Sequence, residues 1–127
     1  MPLVRIALRK GKAPLYRRRL GEIVYETMVE TLNVPPADNF QITTEHDPLG
    51  LVYDPEYLGI HRTDEIVMLQ ITLNEGRTVE VKKQFYRRLS ERLNQELALR
   101  PEDLFVGLVE VKKENWSFGN GDAQYAA

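Results

Sequence analysis

An internal repeat at an offset of 65 residues constrains the fold more than any other feature of the sequence. The segment "PPADNFQI" places Pro36 and Asp38 before a β-like stretch, and "RPEDLFVG" places Pro101 and Asp103 in the same way. The same offset also aligns, without a gap, Ile6 with Ile71, Leu8 with Leu73, Gly11 with Gly76, Lys12 with Arg77, Leu20 with Phe85, Val24 with Leu89, Met28 with Leu93 and Leu32 with Leu97. The chain is therefore expected to contain two copies of one supersecondary unit.

Each half predicts a strand, a glycine-containing turn, a helix, a Pro-x-Asp turn and a second strand. Apolar residues recur every four positions over about 14–33 and about 79–98, which is typical of helices with one buried face. Two strands joined by a helical crossover are parallel. We therefore predict an α+β fold in which tandem βαβ units, about residues 2–46 and 67–111, form a four-stranded sheet with both helices on one face.

The rest of the chain is assigned to a connector and a tail within a single domain, residues 1–127. Residues 47–66 are rich in turn formers and predict loops with a short strand or hairpin. Residues 112–127 contain Trp, Phe and Tyr, which suggests an ordered tail packed on another part of the protein.

A sheet covered by helices on one face leaves the other face uncovered. The predicted strands carry apolar residues that suggest two apolar faces: Phe40, Ile42, Val67, Leu69, Ile71, Leu104, Val106 and Leu108. We expect a closed homo-oligomeric ring to cover the second face, with strands or the tail crossing to a neighbouring subunit.

Composition excludes several classes of protein. Seventeen basic and 19 acidic residues give a net charge of −2, which argues against a nucleic-acid partner. No apolar run approaches the roughly 18 residues of a membrane span, so we expect a cytoplasmic protein without a membrane partner. Cysteine is absent, which excludes disulfides and thiolate chemistry. The histidines, His46 and His61, lack partners at metal-ligand spacing, so no metal site is expected.

Pro2 opens the first predicted strand and has two interpretations. The first residue of a strand is one of the few positions that tolerates proline, since proline has no N–H to donate. If Met1 is removed, however, Pro2 becomes a free secondary amine. An α-amino group has a pKa of roughly 7.7–8.0, and burial lowers that value, so such an amine can act as a base near neutral pH. If Met1 stays, the Pro2 nitrogen is an amide without basicity.

The βαβ repeat, the proline behind Met1 and "NEGR" in a strand-to-helix turn resemble the tautomerase superfamily over nearly the whole chain. The segments "VPPAD", "LGIHRTDE", "ITLNEGRTVEVKKQFY" and "VEVKKENWSFGNG" resemble its malonate semialdehyde decarboxylase branch. The resemblance implies a homotrimer of the kind formed by macrophage migration inhibitory factor. It also implies chemistry without cofactor or metal on a small carbonyl substrate that bears a carboxylate.

The same resemblance assigns the site residues. It implies that Pro2 is catalytic, that Asp38 assists it, that Arg77 grips the substrate carboxylate, and that Trp116 and Phe118 form the aromatic wall of the pocket. The decarboxylases carry Arg-x-Arg in the turn that contains Arg77. This chain has Glu75 at the first of those positions, where a carboxylate would repel an acidic substrate unless it points away.

Structural interpretations of these residues stay open beside the functional ones. Asp103 occupies the position of Asp38 in the other half, where a Pro-x-Asp turn that bonds nearby amides explains both copies. Lys12 likewise occupies the position of Arg77, so a basic residue at this turn has a local explanation, although a guanidinium is the better fork for a carboxylate. Large aromatic residues in a tail also serve as core or interface.

The function that this sequence favours is keto–enol tautomerisation of a small 2-oxo acid by a cofactor-free enzyme with Pro2 as general base. In the first alternative, nearby carboxylates keep Pro2 protonated, and the reaction is decarboxylation of a 3-oxo acid or hydration, with proline as general acid or iminium former. In the second alternative, the protein is a non-catalytic trimeric binding protein.

Overall fold

A computed structural model of the chain describes residues 1–126 and contains the two βαβ units. The first unit consists of β1 (Leu3–Arg9), α1 (Pro14–Leu32) and β2 (Phe40–His46), and the second of β3 (Val67–Asn74), α2 (Val79–Leu97) and β4 (Leu104–Val111). The predicted α+β fold is therefore confirmed.

The two helices begin and end where local chemistry favours it. α1 begins at Pro14, whose fixed φ and missing N–H suit the first helical turn. α2 follows Thr78, whose side chain accepts a hydrogen bond from the backbone N–H three residues on. Both helices end at a residue in the left-handed conformation, Asn33 and Ala98. The predicted helices each exceed the observed ones by their final residue.

The sheet has the strand order β2-β1-β3-β4, with parallel pairs at its two sides and an antiparallel pair, β1 and β3, at its centre. Because β1 and β3 run in opposite directions, the first residues of each of these strands lie beside the last residues of the other. We call the end that holds Pro2, Asp38 and Arg77 the proline end. The opposite end, which holds Lys12 and Asp103, is the connector end.

The hydrophobic core lies between one face of the sheet and the two helices. The strands supply Val4, Ile6, Leu8, Val67, Leu69, Ile71 and Leu73, and the helices supply Leu20, Ile23, Val24, Met28, Leu32, Phe85, Leu89 and Leu93. Full burial of such a side chain contributes about 1.5–3 kcal/mol. Leu97, the last position of the apolar pattern in α2, is only half-buried.

The other face of the sheet is open and partly apolar. Phe40, Ile42, Phe105 and Val109 are between 40% and 54% exposed there. A shallow depression of about 320 Å³ lies among these strands and is lined in part by Arg5, Ile42 and Phe105. This open sheet face is the surface for which the sequence predicts cover from other subunits.

The connector differs from its prediction. Residues 47–66 form no strand or hairpin, and their regular structure is a single 3-10 turn, Tyr57–Gly59. Arg62 holds this loop by donating from Nη1 to the carbonyl oxygens of Asp54, Tyr57 and Ile60 at 3.0–3.3 Å. Side chains thus satisfy the backbone here in place of a strand ladder.

Candidate active site

The polarity of the strands brings all five predicted site residues to the proline end. Leu3 pairs with Phe40 on one side and Thr72 on the other, so Pro2 precedes β1 beside the start of β2 and the end of β3. Asp38 lies two residues before β2, and Arg77 lies three residues after β3.

Asp38 is a buried carboxylate without a hydrogen-bond partner. The residue is 8% exposed, and neither Oδ1 nor Oδ2 accepts a hydrogen bond from residues 1–126. The α-amino nitrogen of Met1 lies 3.2 Å from Oδ2, which makes an ion pair. Since buried polar groups in native proteins are almost always hydrogen-bonded, this carboxylate, whose partner is the Met1 amine, keeps the capacity to accept hydrogen bonds from a ligand.

Arg77 is half-buried, and only some of its guanidinium N–H groups donate hydrogen bonds to other residues among 1–126. Nε donates to the carbonyl oxygen of Leu32 at the end of α1, at 2.9 Å, and Nη1 donates to the carbonyl oxygen of Asn74, at 3.2 Å. Burial lowers the pKa of the Arg77 guanidinium, which nevertheless stays charged at neutral pH. Nη2 has no hydrogen-bond partner within residues 1–126 and can bind an anion.

The tail supplies an aromatic cluster beside these residues. Trp116 and Phe118 stack with their ring centroids 5.5 Å apart, and Phe118 contacts Tyr125 edge-on at 5.1 Å. Trp116 Nε1 donates to Asn74 Oδ1 at 2.7 Å, which fixes the indole against the end of β3. Burial raises the pKa of the Tyr125 hydroxyl, and the negative charge of Asp38 raises it further.

Two of the residues in this arrangement are absent from the sequence prediction. Asn74 joins the Arg77 turn to Trp116, because its backbone carbonyl and its side chain each accept one of their hydrogen bonds. Tyr125 extends the aromatic cluster toward Asp38. The aromatic composition of the tail gave a signal for Tyr125, whereas nothing in the sequence distinguished Asn74 from an ordinary turn residue.

Glu75 has an exposed side chain, and its backbone N–H donates to the carbonyl oxygen of Val111 at 2.9 Å. The guanidinium of Arg77 is therefore the cation that this turn offers to an acidic ligand. Within residues 1–126, no group of three or more His, Cys, Asp or Glu side chains is arranged to hold a metal ion. The described helices also include none that is long and apolar enough to cross a membrane.

Two models of the family described as "Tautomerase enzyme" match the chain, one over residues 38–119 and the other over residues 2–60. The probable tautomerase YusQ of Bacillus subtilis (strain 168) is 41% identical over 124 residues, which cover 98% of each chain. The chain belongs to the tautomerase family. The predicted family and the predicted enzyme class, an isomerase, are thereby confirmed.

Solved structures place this tautomerase more narrowly. Malonate semialdehyde decarboxylase, whose structure is described as a basis for decarboxylase and hydratase activities, superposes with a TM-score of 0.90 at 30% identity over 97% of this chain and 95% of its own. A fused 4-OT symmetric trimer superposes with a TM-score of 0.78 at 22% identity over 98% of both chains, which shows the common fold. The predicted decarboxylase-like branch is thus supported as well.

The groups at the proline end of the tautomerase indicate which chemistry this end can support. A buried carboxylate, a half-buried guanidinium and an apolar aromatic cluster can bind a small anion and move a proton. Removal of Met1 would expose one further group, the secondary amine of Pro2, one residue along the chain from the Met1 amine that faces Asp38.

Proposed function

We propose that this tautomerase is cofactor-free and uses the amine of Pro2, freed by removal of Met1, as general base in keto–enol tautomerisation of a small 2-oxo acid. The observation that carries the proposal is the buried carboxylate of Asp38, which accepts no hydrogen bond from residues 1–126 and lies 3.2 Å from the amine of Met1, the residue before Pro2. The carboxylate of an aspartate with a purely structural role in a turn would accept hydrogen bonds from nearby backbone N–H groups.

The proposed reaction follows from the positions of the groups. Nη2 of Arg77 binds the substrate carboxylate, and the neutral amine of Pro2 removes a proton from the enol hydroxyl or the α-carbon. The resulting prolinium returns a proton at the neighbouring atom, and Asp38 orients the substrate or a water molecule. Trp116 and Phe118 exclude water, which favours the neutral amine.

We further propose that the tautomerase is a homotrimer of single-domain subunits, each made of the two fused βαβ units. The open sheet face supports this assembly, since it exposes large apolar side chains that a subunit interface would bury. The fused 4-OT protein of the same fold is a symmetric trimer. Sedimentation at micromolar concentration tests the assembly, and a monomer would contradict it.

A second candidate function is decarboxylation or hydration of the malonate semialdehyde type. Two observations favour it: the likeness to malonate semialdehyde decarboxylase, and Asp38 itself, whose negative charge stabilises a protonated Pro2. The prolinium would then act as general acid; in the iminium route the neutral amine adds to the aldehyde carbonyl, whose oxygen leaves as water. The protonation state of Pro2 thus separates the general-base role from the general-acid role.

The test uses one preparation whose intact mass shows that Met1 is absent. Turnover of phenylenolpyruvate without turnover of malonate semialdehyde supports the tautomerase, and the reverse supports the decarboxylase. Pro2→Ala should lower either activity by about 100-fold or more, as expected for loss of a positioned acid or base. Activity on neither substrate contradicts both proposals. A biological activity that survives Pro2→Ala would instead favour a binding protein.

A further inference from the structure

The turn that carries Asp38 has an unusual backbone. The N–H of Asp38 donates to the carbonyl oxygen of Pro35 at 3.2 Å, and Ala37 has a φ of 71°. Proline at the second position and a positive φ at the third are features of a type II turn, where glycine or asparagine normally occupies the third position. Alanine at this φ is strained, because its Cβ approaches the following carbonyl oxygen.

A tyrosine of α1 holds this strained residue in place. The hydroxyl oxygen of Tyr25 accepts a hydrogen bond from the backbone N–H of Ala37 at 2.8 Å. Tyr25 itself is anchored on the helix that supplies the core residues Val24 and Met28. The bond therefore ties the turn to a helix that packs in the hydrophobic core.

The second βαβ unit provides an internal control for this arrangement. The offset of 65 residues places Ser90 at the position of Tyr25 and Glu102 at the position of Ala37. Glu102 lies in a 3-10 turn, Pro101–Asp103, and is not among the residues with positive φ. There the side chain of Asp103 is held directly, since it accepts hydrogen bonds from the N–H and hydroxyl of Thr63, both at 2.7 Å.

The strained turn and its tyrosine therefore occur in the unit whose aspartate side chain accepts no hydrogen bond from residues 1–126. The Asp38 carboxylate is not fixed by side-chain hydrogen bonds, so its backbone has to determine where it points. We propose that Tyr25 is a positioning residue: its hydroxyl holds Ala37 in the left-handed conformation and thereby directs the Asp38 carboxylate toward the amino terminus, where it faces the Met1 amine beside Pro2. This inference rests on the proposed function for its catalytic consequence.

The experiment compares Tyr25→Phe, Asp38→Asn and Tyr86→Phe with the unchanged chain. Tyr86 is the control, because it lies on α2 and its ring is 6.0 Å from that of Phe85, not beside the turn. The readout is an NMR titration of the Pro2 amine in preparations whose intact mass shows that Met1 is absent, with kcat/KM and thermal unfolding measured on the same samples. Other groups at this end, Arg77 and Tyr125, are left unchanged in every variant.

The expected result is that Tyr25→Phe and Asp38→Asn both move the titration of the amine to lower pH, since an amine loses stabilisation of its charged form when a carboxylate moves away or becomes neutral. Tyr25→Phe should also lower kcat/KM about five- to tenfold, the factor associated with one ordinary hydrogen bond. Ala37→Gly removes the strain at this φ, so the double variant Tyr25→Phe/Ala37→Gly should regain most of the amine titration pH and of the kcat/KM of the unchanged chain. Tyr86→Phe should match the unchanged chain.

The outcomes separate this inference from the proposed function. A chain without turnover in which Tyr25→Phe still shifts the titration contradicts the function and supports the positioning role. A Tyr25→Phe chain that titrates like the unchanged one overturns the positioning role, whatever its activity or melting temperature. A shift that Ala37→Gly leaves uncorrected overturns it too, because the tyrosine would then act by a route other than the turn.

Discussion

Each end of the sheet carries an aspartate and a basic residue at equivalent positions of the repeat. The two ends differ in whether other side chains of the protein bind these charged groups. At the connector end, Lys12 forms an ion pair with Glu65, and Asp103 accepts two hydrogen bonds from Thr63. At the proline end, the equivalent Asp38 has no hydrogen-bond partner in residues 1–126. The equivalent cation, Arg77, bonds only to backbone carbonyl oxygens.

The difference shows what the connector contributes. A duplicated βαβ unit places an acidic and a basic residue at each end of the sheet, and an unpaired buried charge is destabilising. Residues 63–65 satisfy these charges at the connector end. At the proline end, Asp38 has the Met1 amine as an ion-pair partner but accepts no hydrogen bond from residues 1–126, so part of the destabilisation is retained there, as is common where a protein binds a ligand or carries out chemistry. Four predictions test this comparison.

The largest effect is expected when the two equivalent cations are removed separately. Arg77→Ala should lower kcat/KM by about 100-fold, because a charge-assisted contact to the substrate carboxylate is lost. Lys12→Ala should leave kcat/KM unchanged, since its partner is Glu65 at the far end of the sheet. Steady-state kinetics measures both, with Arg77→Lys as the variant that keeps the charge and loses the fork. Equal losses for Arg77→Ala and Lys12→Ala would show that the ends are not functionally distinct.

The two aspartates should show the reverse pattern in stability. Asp103→Asn should lower the free energy of unfolding by about 2 kcal/mol, because the buried donors of Thr63 lose a charged acceptor. Asp38→Asn breaks no hydrogen bond from residues 1–126 and loses only the ion pair with the Met1 amine, so the free energy of unfolding should fall by less than in Asp103→Asn. Urea unfolding measures both. A greater loss of stability in Asp38→Asn would contradict the account of the two ends.

A smaller effect is expected from the hydrogen bond that anchors the aromatic wall. Trp116→Phe removes the bond from Nε1 to Asn74 and should raise KM by a factor of about five, equivalent to about 1 kcal/mol. Tyr53→Phe is the matched control, since it removes a bond of 2.6 Å to Asp64 at the connector end. KM values that change equally in these variants would mean that the wall has no particular role in binding.

The smallest effect concerns two tyrosines, one at each end. Burial raises the pKa of Tyr125 and Asp38 raises it further, whereas burial, Glu65 and Asp103 raise the pKa of Tyr16 against the lowering effect of Lys12. Loss of a nearby negative charge makes the phenolate easier to form. Of these two tyrosines, Asp38→Asn should therefore lower the pKa of Tyr125, and Asp103→Asn that of Tyr16. The hydrogen bond to Asp64 raises the pKa of Tyr53 at the same end and Asp103 raises it further, so this pKa should fall with that of Tyr16.

Alkaline titration of tyrosinate absorbance measures these shifts, with Tyr125→Phe and Tyr16→Phe to assign the signals. If either aspartate variant shifts the pKa values of both Tyr125 and Tyr16, the charges at the two ends of the sheet do not act independently.

The sequence predicted the helices closely because their signals are local. The four-residue spacing of Leu20, Val24 and Met28 and the turn residues that flank it lie within the element they define. Alignment of the two halves then predicted two βαβ units in one four-stranded sheet. The antiparallel pairing of β1 with β3, which brings Pro2 and Arg77 to one end, was not predicted.

Sequence could not separate Asp38 from Asp103, since both lie in the same Pro-x-Asp pattern. The difference arises from Thr63, which is 40 residues from Asp103 along the chain and lies in a connector that was expected to contain a strand or hairpin. The connector is held by hydrogen bonds from the side chains of Arg62 and Arg9 to backbone carbonyls. The spacing of apolar residues in the sequence does not predict such contacts. Tyr25 was missed for the same reason, because its partner is a backbone amide in a turn.

The most direct test of the central claim is a comparison of two pools of the unchanged sequence, one ending at Pro2 and one retaining Met1. The second pool is obtained by inhibiting methionine removal during expression, and intact mass distinguishes the two. We predict that the pool ending at Pro2 turns over its substrate and that the other has kcat/KM lower by about 100-fold or more, with activity recovered on enzymatic removal of Met1. Equal kcat/KM in pools whose masses differ by one methionine would contradict the claim that the amine of Pro2 performs the chemistry.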